Sequence, residues 1–76
     1  MLVRNSIHEH VVWYEKDERH ALQGFEYLRD HLSLGEATTI FQAAHDHKSA
    51  DFEDSDNHNF SLIYKGNNEY VLMSRS

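Results

Sequence analysis

The chain contains no cysteine and no proline, and only three of its 76 residues are glycine. Without cysteine it can form no disulfide, offer no thiolate ligand to zinc and use no thiol nucleophile. No apolar run approaches the ~18 residues of a membrane-spanning helix, and the first residues lack the apolar stretch of a secretory signal. We therefore expect a cytoplasmic protein that makes no use of a membrane.

Sequence motifs of nucleotide binding and of nucleophilic catalysis are also missing. The glycines are isolated at positions 24, 35 and 66, so the chain has no glycine-rich phosphate loop and no G-x-S-x-G. With seven histidines and seven serines, some Ser/His neighbours will arise by chance. We predict no catalytic residues, no cofactor and a non-enzymatic protein.

Basic residues are scarce: seven Lys and Arg stand against thirteen Asp and Glu, which gives a net charge of −6. The segment from Asp46 to His58 holds five acids and one lysine, and so carries four of the six net charges. An acidic chain is repelled by nucleic acid and by anionic lipid. The charge predicts a protein partner with a basic surface.

Two helices follow from the apolar periodicity. The first apolar stripe recurs at helical spacing after Asp17, a plausible N-cap, and its members are Ala21, Phe25, Leu28 and Leu32. The second predicts a helix of about Leu34–His47, and its members are Ala37, Ile40, Phe41 and Ala44. Between the stripes, Ser33 and Glu36 form a potential capping box, or Gly35 ends the first helix. Both interpretations predict a sharp turn.

Three strands are predicted around the helices. Residues 7–14 are rich in β-branched and aromatic side chains, and residues 60–65 and 69–74 flank a Gly66-Asn67-Asn68 turn. The hairpin should pair Leu62 with Leu72, Tyr64 with Tyr70 and Lys65 with Glu69. Its second face (Ile63, Val71, Met73) is also apolar, so it needs a cover or a partner, and a homodimer is one way to provide that.

The expected fold is a single α+β domain spanning residues 1–76. It has two layers, a three-stranded antiparallel sheet packed against a two-helix hairpin, in the order β-α-α-β-β. Residues 48–59 form an acidic loop that Phe52 anchors to the core.

The leading functional hypothesis is a small regulatory or protein-interaction module. Its acidic loop, together with an exposed aromatic side chain, would contact a basic partner surface. The predicted partner-binding residues are Asp51, Glu53, Asp54, Asp56 and Tyr27.

Two alternatives remain. The order of elements resembles a winged helix without its first helix, in which residues 36–47 would read DNA, although that helix carries no Lys or Arg before Lys48. A third hypothesis is a His/Asp metal-binding protein. The stretch DSDNH from Asp54 resembles the start of a calcium loop, but Asn59 stands where the loop needs Gly and Lys65 where it needs Glu. No metal ligand is therefore assigned.

Overall fold

Five strands form one mixed sheet in the computed structural model, which describes residues 1–75. The strands are β1 (Leu2–Ile7), β2 (His10–Glu15), β3 (Ser49–Glu53), β4 (Asn59–Gly66) and β5 (Glu69–Ser74). Their order across the sheet is β1-β2-β5-β4-β3. All neighbours are antiparallel except β2 and β5, which run parallel.

Two helices cover one face of the sheet, and they lie in the chain between β2 and β3. Helix α1 (Arg19–Glu26) runs into a π-helical turn (Tyr27–His31), and α2 spans Leu34–His47 as predicted. The capping box is confirmed, because Ser33 Oγ accepts from the Glu36 N–H and Glu36 accepts from the Ser33 N–H. The first cap is Glu18 and not Asp17, since the Glu18 carboxylate accepts from the His20 N–H.

The core lies between the helices and the inward face of the sheet. It contains most residues of the two predicted apolar helical stripes, together with the inward-facing residues of β2, β4 and β5. Its largest fully buried side chains are Tyr70, Phe25, Phe41, Phe60, Ile7, Leu28, Leu62 and Val12. Among residues 1–75, no helix is long and apolar enough to cross a membrane.

The predicted three-stranded antiparallel sheet is wrong, first because residues 2–15 form two strands where one was expected. The chain reverses at His8 and Glu9, both of which have positive φ. Positive φ is uncommon outside glycine, although histidine adopts it more often than most residues, so the local sequence carried only a weak turn signal. Asn68, 59 residues away, holds the turn by donating from its side-chain amide to the Glu9 carbonyl.

The second error concerns the acidic loop, because its first part is the edge strand β3. Ala50 and Phe52 point toward the helices, and Phe52 packs against the core as expected. Asp51 and Glu53 alternate with them and point to the opposite face. The high charge of the segment concealed this alternation with a period of two residues. Charged residues are common in edge strands, where they discourage edge-to-edge aggregation.

The β4–β5 hairpin agrees with the sequence pattern. Leu62 pairs with Leu72 and Tyr64 with Tyr70, as predicted. The predicted pair of Lys65 with Glu69 is wrong, because a bulge between Tyr64 and Gly66 pairs Glu69 with Gly66 instead. Asn67 and Asn68 form the tip with positive φ. The C-terminal strand β5 thereby becomes the centre of the sheet, with β2 on its other side.

Candidate functional site

The acidic residues that follow β3 form a tight turn built around one buried carboxylate. Asp54 Oδ1 accepts from the backbone N–H groups of Asp56 and His58, each at 2.9 Å. Its Oδ2 lies 3.2 Å from His58 Nδ1. The turn closes with an N–H to carbonyl bond from Asp54 to His58 of 3.1 Å. Asp54 is therefore first of all a structural residue that fixes the path from β3 to β4.

The environment of Asp54 keeps its carboxyl group ionised. Burial acts to raise its pKa, but the hydrogen bonds from the N–H and side chain of His58 and from the N–H of Asp56 act against it. The net effect is a pKa below the ordinary value. A fixed negative charge therefore lies at the base of this turn.

A small groove lies between this turn and the C-terminal part of α1. It encloses about 140 Å³ and is lined by Gln23, Glu26, Tyr27, His31, Asp54, Ser55 and Asp56. Three of these seven side chains are carboxylates, and none is Lys or Arg. Gln23 lies beside them with its side-chain oxygen buried and without a hydrogen-bond partner among residues 1–75. The groove is thus a concave acidic surface.

The aromatic wall of the groove comes from the π-helical turn. Tyr27 is half-buried and stacks on His31, with ring centroids 5.9 Å apart, and on Phe52 of β3 at 6.4 Å. The Leu32 N–H donates to the Tyr27 carbonyl, which gives the wide turn. Turns of this kind are rare and are often found at functional sites. Tyr27 is therefore held in place rather than presented as a mobile side chain.

The five predicted site residues separate into two groups. Asp54, Asp56 and Tyr27 line the groove together. Asp51 and Glu53 lie on the sheet face that the helices leave open, where Asp51 accepts a 2.7 Å hydrogen bond from Ser61. The strand alternation explains the separation, because residues of odd and even number in β3 point to opposite faces.

Sequence reasoning missed Glu26, Gln23 and His31 as members of the groove. Glu26 and Gln23 fall on the outer side of the apolar stripe of α1, where charged and polar residues are ordinary. Only the fold shows that this side faces the turn after β3. The local signal that existed was the spacing of Tyr27 and His31 at i and i+4, which places two rings side by side on a helix.

Three side chains of the turn come close enough to suggest a metal site. Ligand atoms of Asp54, Asp56 and His58 lie within 4.8 Å of one another. Both oxygens of Asp54 already receive hydrogen bonds or contacts that hold the turn. These contacts explain the cluster without an ion.

Within residues 1–75, the other histidines do not assemble into a second metal-ligand cluster. His10 stacks on Phe41 with ring centroids 4.2 Å apart, whereas His8 is exposed in the β1–β2 turn. His45 packs against Tyr64 at 4.6 Å. His20 is the exception, since its ring lies 4.3 Å from that of His58 and its Nδ1 is buried without a partner among residues 1–75.

Comparisons with known proteins do not extend this description. No protein-family model, no curated protein and no solved structure matches the chain. The functional argument therefore rests on the molecule's own geometry.

Proposed function

We propose that this chain is a non-enzymatic protein-interaction module, and that its acidic groove receives a cationic side chain from a basic partner. One observation carries the proposal: the fold brings Glu26, Asp54 and Asp56 together beside the ring of Tyr27. Glu26 and Asp54 are 28 residues apart in sequence, so the charge concentration is a product of the fold.

The size of the groove favours a side chain over a small-molecule substrate or cofactor. Sites for drug-sized ligands enclose about 300–1,000 Å³. The groove encloses about 140 Å³, which suits one guanidinium or ammonium head group. Glu26 and Asp56 are exposed, so the groove does not give a reacting centre the dry surroundings that catalysis exploits.

The chemistry of the lining also favours a cation. Arg and Lys pair with carboxylates through charge-assisted hydrogen bonds, which are stronger than neutral ones. A guanidinium also stacks on an aromatic ring, and Tyr27 offers its ring at the wall. Asp54 contributes its fixed charge while its hydrogen bonds hold the turn. A basic partner would therefore find both charge and shape here.

A direct test titrates a short arginine-rich peptide into the isotopically labelled protein and follows amide shifts by NMR. We expect the largest shifts at Gln23, Tyr27 and Ser55, and weaker binding at high salt because exposed charges are screened. The double variant Glu26→Gln, Asp56→Asn should weaken binding about tenfold. It leaves Asp54, and hence the turn, intact.

The matched control is Asp51→Asn, Glu53→Gln. It removes the same two negative charges from the opposite face of the sheet, so it reproduces the change in net charge without touching the groove. We expect it to keep most of the affinity. Equal loss in both double variants would mean that only overall charge matters and would refute a specific groove.

The two alternatives stay predictions with less support. The winged-helix hypothesis depended on the order β-α-α-β-β, which the fold does not have; retention of duplex DNA in a gel shift at pH 7 would revive it. The metal hypothesis depends on Asp54, Asp56 and His58. A rise in melting temperature with zinc, nickel or calcium that Asp56→Asn abolishes would support it.

The proposed location is the cytoplasm, and fractionation of the source cell would test it.

A further inference from the structure

The sheet face that points away from the helices carries an apolar row across its centre. In register order this row reads Arg4, Trp13, Val71, Ile63 and Ser49, so its three central members are apolar. The Arg4 guanidinium lies over the Trp13 ring, 5.7 Å from its centroid. Trp13 is half-buried, with its indole N–H donating to Glu69 at 2.8 Å. No described element packs over this row, because both helices lie on the other face.

The open face extends beyond that row. Leu2 and Met73, which belong to the next level of the sheet, are 52% and 41% exposed. A depression of about 370 Å³ runs along this end of the sheet, and Leu2, Val71 and Met73 contribute apolar lining to it. Glu15 pairs with Leu2 and also lines this depression, so the continuous apolar patch consists of Trp13, Val71, Ile63 and Met73 with charged residues around it. An exposed apolar patch rimmed by charges is typical of a protein–protein contact.

We propose that a second copy of this chain covers the open face, so that two sheets pack face to face about a two-fold axis parallel to β5. Sheets packed in this way lie about 10 Å apart with their strands within about 30° of each other. Because β5 is the central strand, a two-fold axis parallel to it places β2 of one copy over β4 of the other, and β1 over β3.

The charges on the two edges of the face complement each other in this arrangement. Arg4 is the one charged residue of β1 on the open face, and Asp51 and Glu53 are the charged residues of β3 there. Placing β1 over β3 brings Arg4 of each copy near the carboxylates of its partner. Trp13 of each copy then lies over Ile63 of the other, and Val71 meets its own counterpart on the axis.

Each of the two possible axes brings one pair of like charges together. A two-fold axis across the strands would place β1 over β1 and set Arg4 against Arg4, whereas the axis parallel to β5 sets Glu69 against Glu69 near the start of that strand. The axis parallel to β5 is distinguished by the attraction between Arg4 and the carboxylates of β3, which the other axis lacks.

The breadth of the face also points to a second copy. The molecule measures 26 × 25 × 19 Å, so the sheet face offers on the order of 650 Å² in plan, against about 800 Å² per partner in a standard-size interface. A partner must cover nearly all of this face to bind stably. A second sheet of equal width does so, whereas a single extended peptide does not.

Light scattering after gel filtration tests the proposal at about 100 μM chain, above the micromolar dissociation constants of weaker specific complexes. We expect twice the 9.0 kDa mass of one chain. Val71→Lys places two ammonium groups against each other on the axis and should give the single-chain mass, with circular dichroism confirming the fold. Leu34→Lys, at an exposed position at the start of α2, is the matched control and should stay dimeric. A single-chain mass for the unaltered protein refutes the proposal, as does a dimer that Val71→Lys leaves intact.

Crosslinking gives a second measurement that does not depend on the folding of Val71→Lys. The described chain has no cysteine, so Val71→Cys introduces a unique thiol on the proposed axis. A short bis-maleimide should join two Val71→Cys chains efficiently and two Leu34→Cys chains poorly. Equal crosslinking of both would refute the face-to-face arrangement.

Arg4→Glu should weaken the dimer about tenfold, and adding Asp51→Lys should restore it if the axis is parallel to the strands.

Discussion

At the scale of single residues, the closest constraint in the molecule is between Gly24 and Phe60. A Cβ atom at position 24 would lie 2.6 Å from Cε1 of the Phe60 ring. That ring is fully buried and stacks on Phe52 with centroids 5.3 Å apart, so it has little room to move. Glycine is intrinsically unfavourable in a helix, but the close contact between α1 and β4 leaves no room for a side chain at position 24.

We predict that Gly24→Ala destabilises the protein by about 1–2 kcal/mol. The helix gains up to ~1 kcal/mol from alanine, but overpacking a buried site costs about 1–3 kcal/mol and dominates here. Urea unfolding measures the difference. Gly35→Ala is the control: nothing lies within 4 Å of its added Cβ in α2, so it should be stabilising. Gly24→Ala as stable as Gly35→Ala would contradict the packing argument.

At the scale of elements, the decisive unit is the turn between β3 and β4. The Asp54 carboxylate holds the five residues of this turn in place. The position of the turn determines both the shape of the groove and the pairing of the acidic edge strand β3 with β4. Asn57 adopts positive φ within it, a conformation that asparagine tolerates better than most residues. The acidic composition therefore has two separable roles, since Asp54 builds the turn and Asp56 remains exposed at its surface.

We predict that Asp54→Ala lowers the free energy of unfolding by about 2 kcal/mol, because two backbone N–H groups lose a charged acceptor. Asp56→Ala should change it by less than about 0.5 kcal/mol. Thermal or urea unfolding at pH 7 compares the two. Similar losses in both variants would show that the turn does not depend on Asp54.

The same carboxyl group makes stability depend on pH in a defined direction. The pKa of Asp54 lies below its usual 3.8, because the hydrogen bonds from His58 and Asp56 outweigh the effect of burial. A group with a lowered folded-state pKa stabilises above its unfolded pKa and loses that contribution as pH falls through the folded value. Stability should therefore fall below about pH 4, and less steeply in Asp54→Ala. An unchanged slope would contradict this assignment.

At the scale of the whole molecule, the sheet joins the two ends of the chain. The N-terminal hairpin meets the C-terminal strand through the parallel pairing of Val11, Val12 and Trp13 with residues 69–71. The central strand β5 is paired on both sides, whereas β1 and β3 are edges. Stability should accordingly be highest at the centre and lowest at the β1 edge.

Hydrogen exchange tests this gradient. We expect the bonded amides of β5 and β4 to exchange most slowly and those of β1 at least about tenfold faster, a difference of ~1.4 kcal/mol in opening free energy. NMR-detected exchange at a fixed pH provides the rates. Equal protection in β1 would mean that another strand pairs with its outer edge, in conflict with an interface formed by the sheet face alone.

The sequence alone determined the helical elements and the last hairpin. The apolar stripe of α2, its Ser33–Glu36 capping box and the pairing of Tyr64 with Tyr70 depend on residues near one another in the chain, so periodicity and local hydrogen bonds suffice to specify them. It also indicated that Ile63, Val71 and Met73 form a second apolar face.

Only the tertiary structure decided the five-stranded sheet and the groove. The turn at His8 and Glu9 depends on Asn68, and β3 becomes a strand because Ala50 and Phe52 pair with β4 and pack against the core. Glu26 joins Asp54 and Asp56 because α1 packs over β4 at Gly24. Each of these arrangements depends on partners that are distant in sequence, and no local pattern encodes a distant contact.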